Sequence, residues 1–440
     1  MLTQNIKTCV IKVLVFVSLW VVFYMGSGGA VSANTHTPSA PPRSLSLQAK
    51  SAILLEVETG QILYQSDADI AYPPASMSKM MTEYIVLSEI KSERLNWEDK
   101  VTVSKRAHDT VGSKVFLAEG DTHTVKELFT AMAVGSANDA SIALAEHIAG
   151  SEEAFAMRMN VTAKELQLTN AHFINATGLG RVDMSEEYRP TEIEGETVMS
   201  ARDAAFLALA IQREHPDFFK ISSLPSYQFR ARDAQPIINY NWMLEGNSSV
   251  TSLKNYAYEG LDGMKTGYTD QAGYCFTGTA ERNGMRLISV VMGTASKSMR
   301  FDQTRKLLDY GFDQFERKTI LAKRTVLEGF ETVKVLKAKE KEVGLETAED
   351  LTLMTIKGTN PELTVTVEFV DEVVRTAPIP DGTVLGTATI TYTDETGQEI
   401  KSEMNLLSTN QVEKASWFTL MLRAIGSFFN DLKDSLLNLF

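Results

Sequence analysis

At 440 residues, with 44% apolar and 22% charged side chains, the chain is too long for one ordinary domain and has the composition of a globular protein, not a disordered one. A formal net charge of −13 with no basic stripe excludes a nucleic-acid partner. Once the N-terminal segment that carries Cys9 is discounted, Cys275 is the only thiol, so no intramolecular disulfide is available, and the histidines show no metal-ligand spacing.

In chain order, Lys7 and Lys12 precede an apolar run from Val13 to Met25, and small residues lead to Val31-Ser32-Ala33. That pattern predicts a signal peptide over residues 1–33. An uncleaved anchor is the alternative, although the run is short for a bilayer span, and either reading exports the protein. Residues 34–45, rich in Pro, Ser and Thr, read as a linker.

A first folded domain is expected over residues 46–317. Ala52 to Val57 and Gln61 to Gln65 are strand-like around Glu58-Thr59-Gly60, and Tyr274 to Ala280 and Met285 to Met292 are strand-like around Glu281-Arg282-Asn283-Gly284. Val125 to Val134, Asp139 to Ile148 and Glu152 to Leu166 carry apolar residues at helical spacing, Ser200 opens a further helix, and another follows from Met299 to Phe315. Strands from both ends with helices between them predict an α+β fold on one antiparallel sheet. Cys275 lies in the apolar run Gly273-Tyr274-Cys275-Phe276 and reads as a buried strand residue.

From 318 to 409 the texture changes to alternating β-branched segments such as Leu363 to Phe369 and Thr387 to Tyr392, which predicts a small all-β domain with no chemistry of its own. Residues 410–440 end in an apolar stripe from Trp417 to Phe440 interrupted by Arg423, Asp431, Lys433 and Asp434. This predicts an amphipathic helix lying in a membrane interface, with packing on its own domain or a partner as the alternative.

Three short motifs within the first domain carry the chemistry: Ser76-Met77-Ser78-Lys79, then Ser136-Ala137-Asn138, then Lys265-Thr266-Gly267. Each alone is weak, since the chain also holds S-x-x-K at Ser88 to Lys91 and S-x-N at Ser32 and Ser408. The ordered set is the specific signal. Ser76 follows Pro73-Pro74-Ala75 and precedes apolar positions at Met77, Met80, Met81, Tyr84 and Ile85, so it opens a helix with Lys79 one turn on. A serine hydroxyl needs a base, and Lys79 serves only if burial and the second ammonium of Lys265 lower its pKa. Ser136 offers a proton relay to a leaving amine, and Asn138 a hydrogen bond to a substrate amide, with helix capping as a compatible alternative. Lys265 and Thr266 offer a cation and a hydroxyl to a carboxylate, and Gly267 permits close backbone approach.

This set resembles the penicillin-binding proteins and serine β-lactamases, and the text around it narrows the likeness. Pro74-Ala75-Ser76-Met77-Ser78-Lys79-Met80-Met81-Thr82, Gly135-Ser136-Ala137-Asn138-Asp139-Ala140, Gly178-Leu179 and Gly263-Met264-Lys265-Thr266-Gly267-Tyr268-Thr269 are similar to the low-molecular-mass D-alanyl-D-alanine carboxypeptidases. The resemblance implies a β-lactamase/transpeptidase-like catalytic domain, acylation of Ser76 by a peptidoglycan stem pentapeptide with loss of its last D-alanine, and covalent binding of penicillin. It also implies an oxyanion hole from the backbone N–H groups of Ser76 and Tyr268, no cofactor or metal, and a terminal helix that holds the enzyme on the outer face of the cytoplasmic membrane. Ala137 and Tyr268 stand where many relatives have Gly and some have His. Ser113, in Gly112-Ser113-Lys114-Val115-Phe116-Leu117, matches a loop near the site in relatives. A serine β-lactamase is a rival reading, although no glutamate falls in an E-x-x-L-N pattern, and an inactive cell-wall-binding protein is another.

Overall fold

A computed structural model of the chain describes residues 31–32, 45–394, 397 and 399–437. The predicted signal peptide and linker lie outside the described residues, apart from Leu45 and from Val31–Ser32, which pair with Val365 and Thr364. The chain divides into two units. Residues 45–318 form one together with Thr352–Thr359, and the remaining C-terminal residues form the other. The short returning segment is the departure from a simple boundary after residue 317, because Met354 and Ile356 complete a hydrophobic cluster of the first unit. There the Gln61 side chain donates to Met354 O and accepts from Met354 N.

The first unit is built on a five-stranded antiparallel sheet. Its strands are β1 (Ser51–Glu56), β2 (Ile62–Ser66), β3 (Leu261–Thr269), β4 (Gly273–Arg282) and β5 (Met285–Thr294), in the order β2-β1-β5-β4-β3. Residues from both ends of the unit thus share one sheet, as the strand patterns predict, and the K-T-G segment lies on its edge strand. Cys275 is a buried free thiol on β4, and burial pushes it up to about 11, so it is inert packing.

Between β2 and β3 run the helices α1 (Lys79–Lys91), α2 (Val125–Gly135), α3 (Asn138–Ala149), α4 (Glu152–Glu165) and α5 (Ala201–Glu214), and α6 (Lys297–Gln314) follows β5. Their starts are set locally. Thr124 and Glu127 form a reciprocal capping box on α2, and Ser151, Ser200 and Ser296 accept the third backbone N–H of α4, α5 and α6. By contrast α1 has no side-chain cap and is buried along nearly its whole length from Lys79 to Leu87, which tertiary packing alone can sustain.

In the C-terminal unit, β6 (Thr332–Lys334), β7 (Glu342–Thr347), β8 (Thr364–Phe369), β9 (Val384–Thr393) and β10 (Glu399–Ser408) form an antiparallel sheet in the order β8-β9-β10-β7-β6. Alternation is clean along β9 from Gly386 onward, where Ala388, Ile390 and Tyr392 are buried, after a register shift between Val384 and Gly386. The terminal helix α7 (Trp417–Leu437) follows.

Candidate active site

The turn before α1 is unusual in its backbone. Ala75 has φ of 50°, a conformation costing about 1–3 kcal/mol in a non-glycine residue, and it begins a single turn of 3-10 helix, Ala75–Ser78, that feeds into α1. Neighbouring glycines make this possible. A Cβ on Gly267 would lie 2.3 Å from Pro74 O, and one on Gly178, whose φ is +81°, would lie 2.0 Å from Ala75 O. Edge strand β3 and the loop at Thr177-Gly178 therefore press against the serine turn from two sides, which only glycine allows.

Ser136 is the left-handed residue that ends α2, with φ of 56°, and Asn138 begins α3. The S-A-N motif thus sits on a turn between two helices, as its sequence context predicts. The three motifs converge. Lys79 Nζ lies 3.1 Å from Ser76 Oγ, 2.7 Å from Asn138 Oδ1 and 2.8 Å from Thr177 O, and Lys265 Nζ donates to Ser136 Oγ at 2.7 Å.

The surroundings of Lys79 decide its state. Lys79 is fully buried, and burial, followed by repulsion from Lys265, holds its pKa well below the ordinary lysine value. A neutral amine has two N–H groups and one lone pair. In that form the two acceptors Asn138 Oδ1 and Thr177 O would take the two N–H groups, and the lone pair would face the Ser76 hydroxyl. Lys265 is also lowered, by burial, with Glu83 opposing the shift and Arg300 adding to it.

Asn138 is engaged on both sides. Its Oδ1 accepts from Lys79 and its Nδ2 donates to Val111 O at 2.6 Å, so in this geometry the carboxamide orients the lysine and fixes the loop beside it. That loop is the Gly112 to Leu117 segment. Asn138 N donates to Ser113 O at 2.7 Å, and the buried Asp139 carboxylate accepts from Val115 N and Leu117 N, which sets Ser113 beside the site.

Several contributors carry no motif. Thr177 supplies a carbonyl to Lys79, and Asn175 Oδ1 holds the turn by accepting from Thr177 N, Thr177 Oγ1 and Gly178 N. Behind it Glu152 accepts from Arg106 and from Ala176 N. Arg300, buried on α6, donates to Gly267 O at 3.2 Å and so braces β3. A charged residue in a helix stretch that also supplies buried apolar positions is the only signal for Arg300, and Thr177 acts through a backbone atom, which composition does not reveal. Thr266 is buried, whereas Tyr268 is half exposed, stacks on Tyr274 at 4.2 Å between ring centroids and donates its hydroxyl to Asp270.

Residues 34–296 match the family model described as D-alanyl-D-alanine carboxypeptidase, and residues 315–414 match that of the penicillin-binding protein 5 C-terminal domain. Over 387 residues the chain is 33% identical to D-alanyl-D-alanine carboxypeptidase DacF of Bacillus subtilis, covering 87% of this chain and 91% of the relative. It is similar to the crystal structure of penicillin-binding protein 5 from Haemophilus influenzae, at 30% identity and a TM-score of 0.65 over 86% of this chain and 100% of the other. It is also similar to penicillin-binding protein D2 of Listeria monocytogenes in its ampicillin-bound form, at 32% identity and a TM-score of 0.51 over 61% of this chain and 99% of the other.

Proposed function

The chain belongs to the D-alanyl-D-alanine carboxypeptidase family and has its activity, and we propose that Ser76 is the nucleophile, Lys79 its base and Ser136 the relay to the leaving group. The enzyme acts on peptidoglycan and is a penicillin-binding serine hydrolase. Ser76 Oγ attacks the carbonyl carbon of the penultimate D-alanine and gives its proton to Lys79 Nζ. The oxyanion is held by the backbone N–H groups of Ser76 and Tyr268. The peptide bond then breaks. The departing D-alanine amine takes the proton that Lys79 received, passed on through the Ser136 hydroxyl, which returns Lys79 to the free base while Lys265, donating to Ser136 Oγ, stays an ammonium. Water then gives a proton to the free-base Lys79 and attacks the ester carbonyl carbon, the bond to Ser76 Oγ breaks, and Lys79 returns that proton to the departing Ser76 oxygen. Lys265 and Thr266 hold the terminal carboxylate, Gly267 admits the substrate backbone to the strand, and Asn138 keeps Lys79 aligned while facing the substrate amide. Penicillin acylates the same serine.

The observation that carries this reading is the set of three neighbours around Lys79 Nζ, two acceptors and one hydroxyl. Nothing favours the β-lactamase alternative. Glu152, buried and locked by Arg106 and Ala176 N, is unavailable to activate a deacylating water.

We further infer that residues 1–33 export the chain and that residues 410–440 hold it on the outer face of the cytoplasmic membrane. Among the described residues no helix is long and apolar enough to cross a membrane. An interfacial helix is supported by α7, where Trp417, Phe418, Met421, Leu422, Ile425 and Phe428 are exposed, while Arg423 donates to the carbonyls of Ala338 and Lys339 and ties the helix to its own unit.

Mass spectrometry of the enzyme with a pentapeptide ending in D-Ala-D-Ala, beside penicillin labelling, tests the assignment. Wild type releases one D-alanine and carries a slowly lost adduct on Ser76, and Ser76→Ala does neither. Rapid penicillin turnover without D-alanine release would overturn it in favour of a β-lactamase.

A further inference from the structure

Helix α1 carries an ionisable residue for which the mechanism has no use. Glu83 lies four positions after Lys79, on the same helical face, and is fully buried. Both of its carboxylate oxygens are buried with no hydrogen-bond partner among the described residues. The other buried glutamates nearby are built differently. Glu152 is held by Arg106 and a backbone N–H, and Glu89 is held by Arg94. A carboxyl buried without such partners is costly, and packing alone would favour an apolar residue there.

Glu83 faces charges from several elements. Lys79 is on its own helix and Lys265 comes from β3. Glu83 attracts a proton to Lys79 as well as to Lys265; beyond them Glu152 on α4 and Asp139 on α3 also act on Lys79, Arg300 on α6 acts on Lys265, and Arg106 neutralises Glu152. Burial raises the Glu83 carboxyl out of the usual carboxylate range, opposed first by Lys265 and then by Lys79. Its stronger electrostatic partner is therefore the strand lysine.

We propose that Glu83 is a positioning residue for acylation, the buried counter-charge that keeps Lys265 an ammonium and so, through repulsion between the two lysines, leaves Lys79 the free base. Two ammonium groups in one buried cleft repel, so a proton held by one is refused by the other. The carboxylate pulls a proton toward both lysines, more strongly toward Lys265 than toward Lys79, and that difference settles which lysine holds it. This rests on the roles given above to Lys79 and Lys265.

The test is the pH dependence of kcat/KM for D-alanine release from the pentapeptide, measured for wild type, Glu83→Gln and Glu83→Asp. Without the carboxylate the Lys265 pKa falls. Glu83→Gln is expected to move the basic limb about one unit toward acid, with about tenfold loss on that limb carried mainly by KM, and to move the acid limb in the same direction by less. Glu83→Asp keeps the charge and restores the limb. A uniform loss at every pH, or an unmoved limb, overturns the proposal. Should Glu83→Gln not fold, lysine side-chain NMR of the wild-type enzyme replaces it. Lys265 is expected to lose its proton at higher pH than Lys79, and the reverse order overturns the proposal. Penicillin labelling of Ser76 in the same samples keeps the two questions apart, since its absence from wild type would instead sink the assignment of the site.

Discussion

In the catalytic unit Lys79, Glu83, Asp139, Glu152, Lys265 and Arg300 are all buried, whereas in residues 319–351 and 360–437 the described polar side chains that are buried are the uncharged Thr347 and Ser408. The difference is one of cost. Removing a charge from water is expensive unless partners or a shifted pKa compensate, so a core without chemistry is built of apolar residues. The C-terminal unit follows that rule. The catalytic unit breaks it around one serine, and elsewhere only where a buried acid has hydrogen-bond partners of its own, as Glu56, Glu89 and Asp203 do.

If buried charge marks the chemistry, removing it should harm the two units very differently. The largest effect is expected at the base: Lys79→Gln should slow acylation of Ser76 by penicillin by about 10³-fold, since general-base contributions run from about 10² to 10⁴. Stopped-flow labelling reads it directly. Next, Arg106→Met would strand the Glu152 carboxylate in the interior and should cost about 3–5 kcal/mol of stability, measured by denaturant unfolding of the catalytic unit. Because Glu152 also holds Ala176 N, next to the Thr177 carbonyl on Lys79, acylation should fall as well. Leu385→Ala, in the charge-free core of β9, should cost about 2–5 kcal/mol in hydrogen-exchange stability of the C-terminal unit and leave the acylation rate unchanged. An acylation defect there would break the comparison. The smallest effect belongs to the surface of α7, where Phe418→Ser should weaken binding to lipid vesicles by about 2 kcal/mol or less with no change in catalysis.

Much of this arrangement was legible in the sequence, and for a definite reason. The roles proposed for Ser76, Ser136 and Lys265 rest on side chains at fixed spacings, and the elements that carry them announce themselves through apolar periodicity and capping residues such as Thr124 and Ser200. What stayed hidden acts through space. Thr177 contributes a backbone carbonyl, Arg300 reaches Gly267 from a distant helix, and Asn138 turns its carboxamide toward Lys79, which spacing alone does not show. The return of Thr352–Thr359 to the catalytic unit was equally invisible, because an alternating strand reads the same whichever sheet edge or core receives it.

The central claim is that the two buried lysines hold opposite protonation states at neutral pH. Lys79, its pKa lowered, must be the free base, so acylation is lost as pH falls through its value. Lys265 must be the ammonium, so acylation is lost as pH rises through its own lowered value. The rate of penicillin acylation of Ser76 as a function of pH tests this most directly. A bell with its basic limb near pH 8 is the predicted result. A rate that climbs steadily to the range of an ordinary lysine, about pH 10.4, would contradict it.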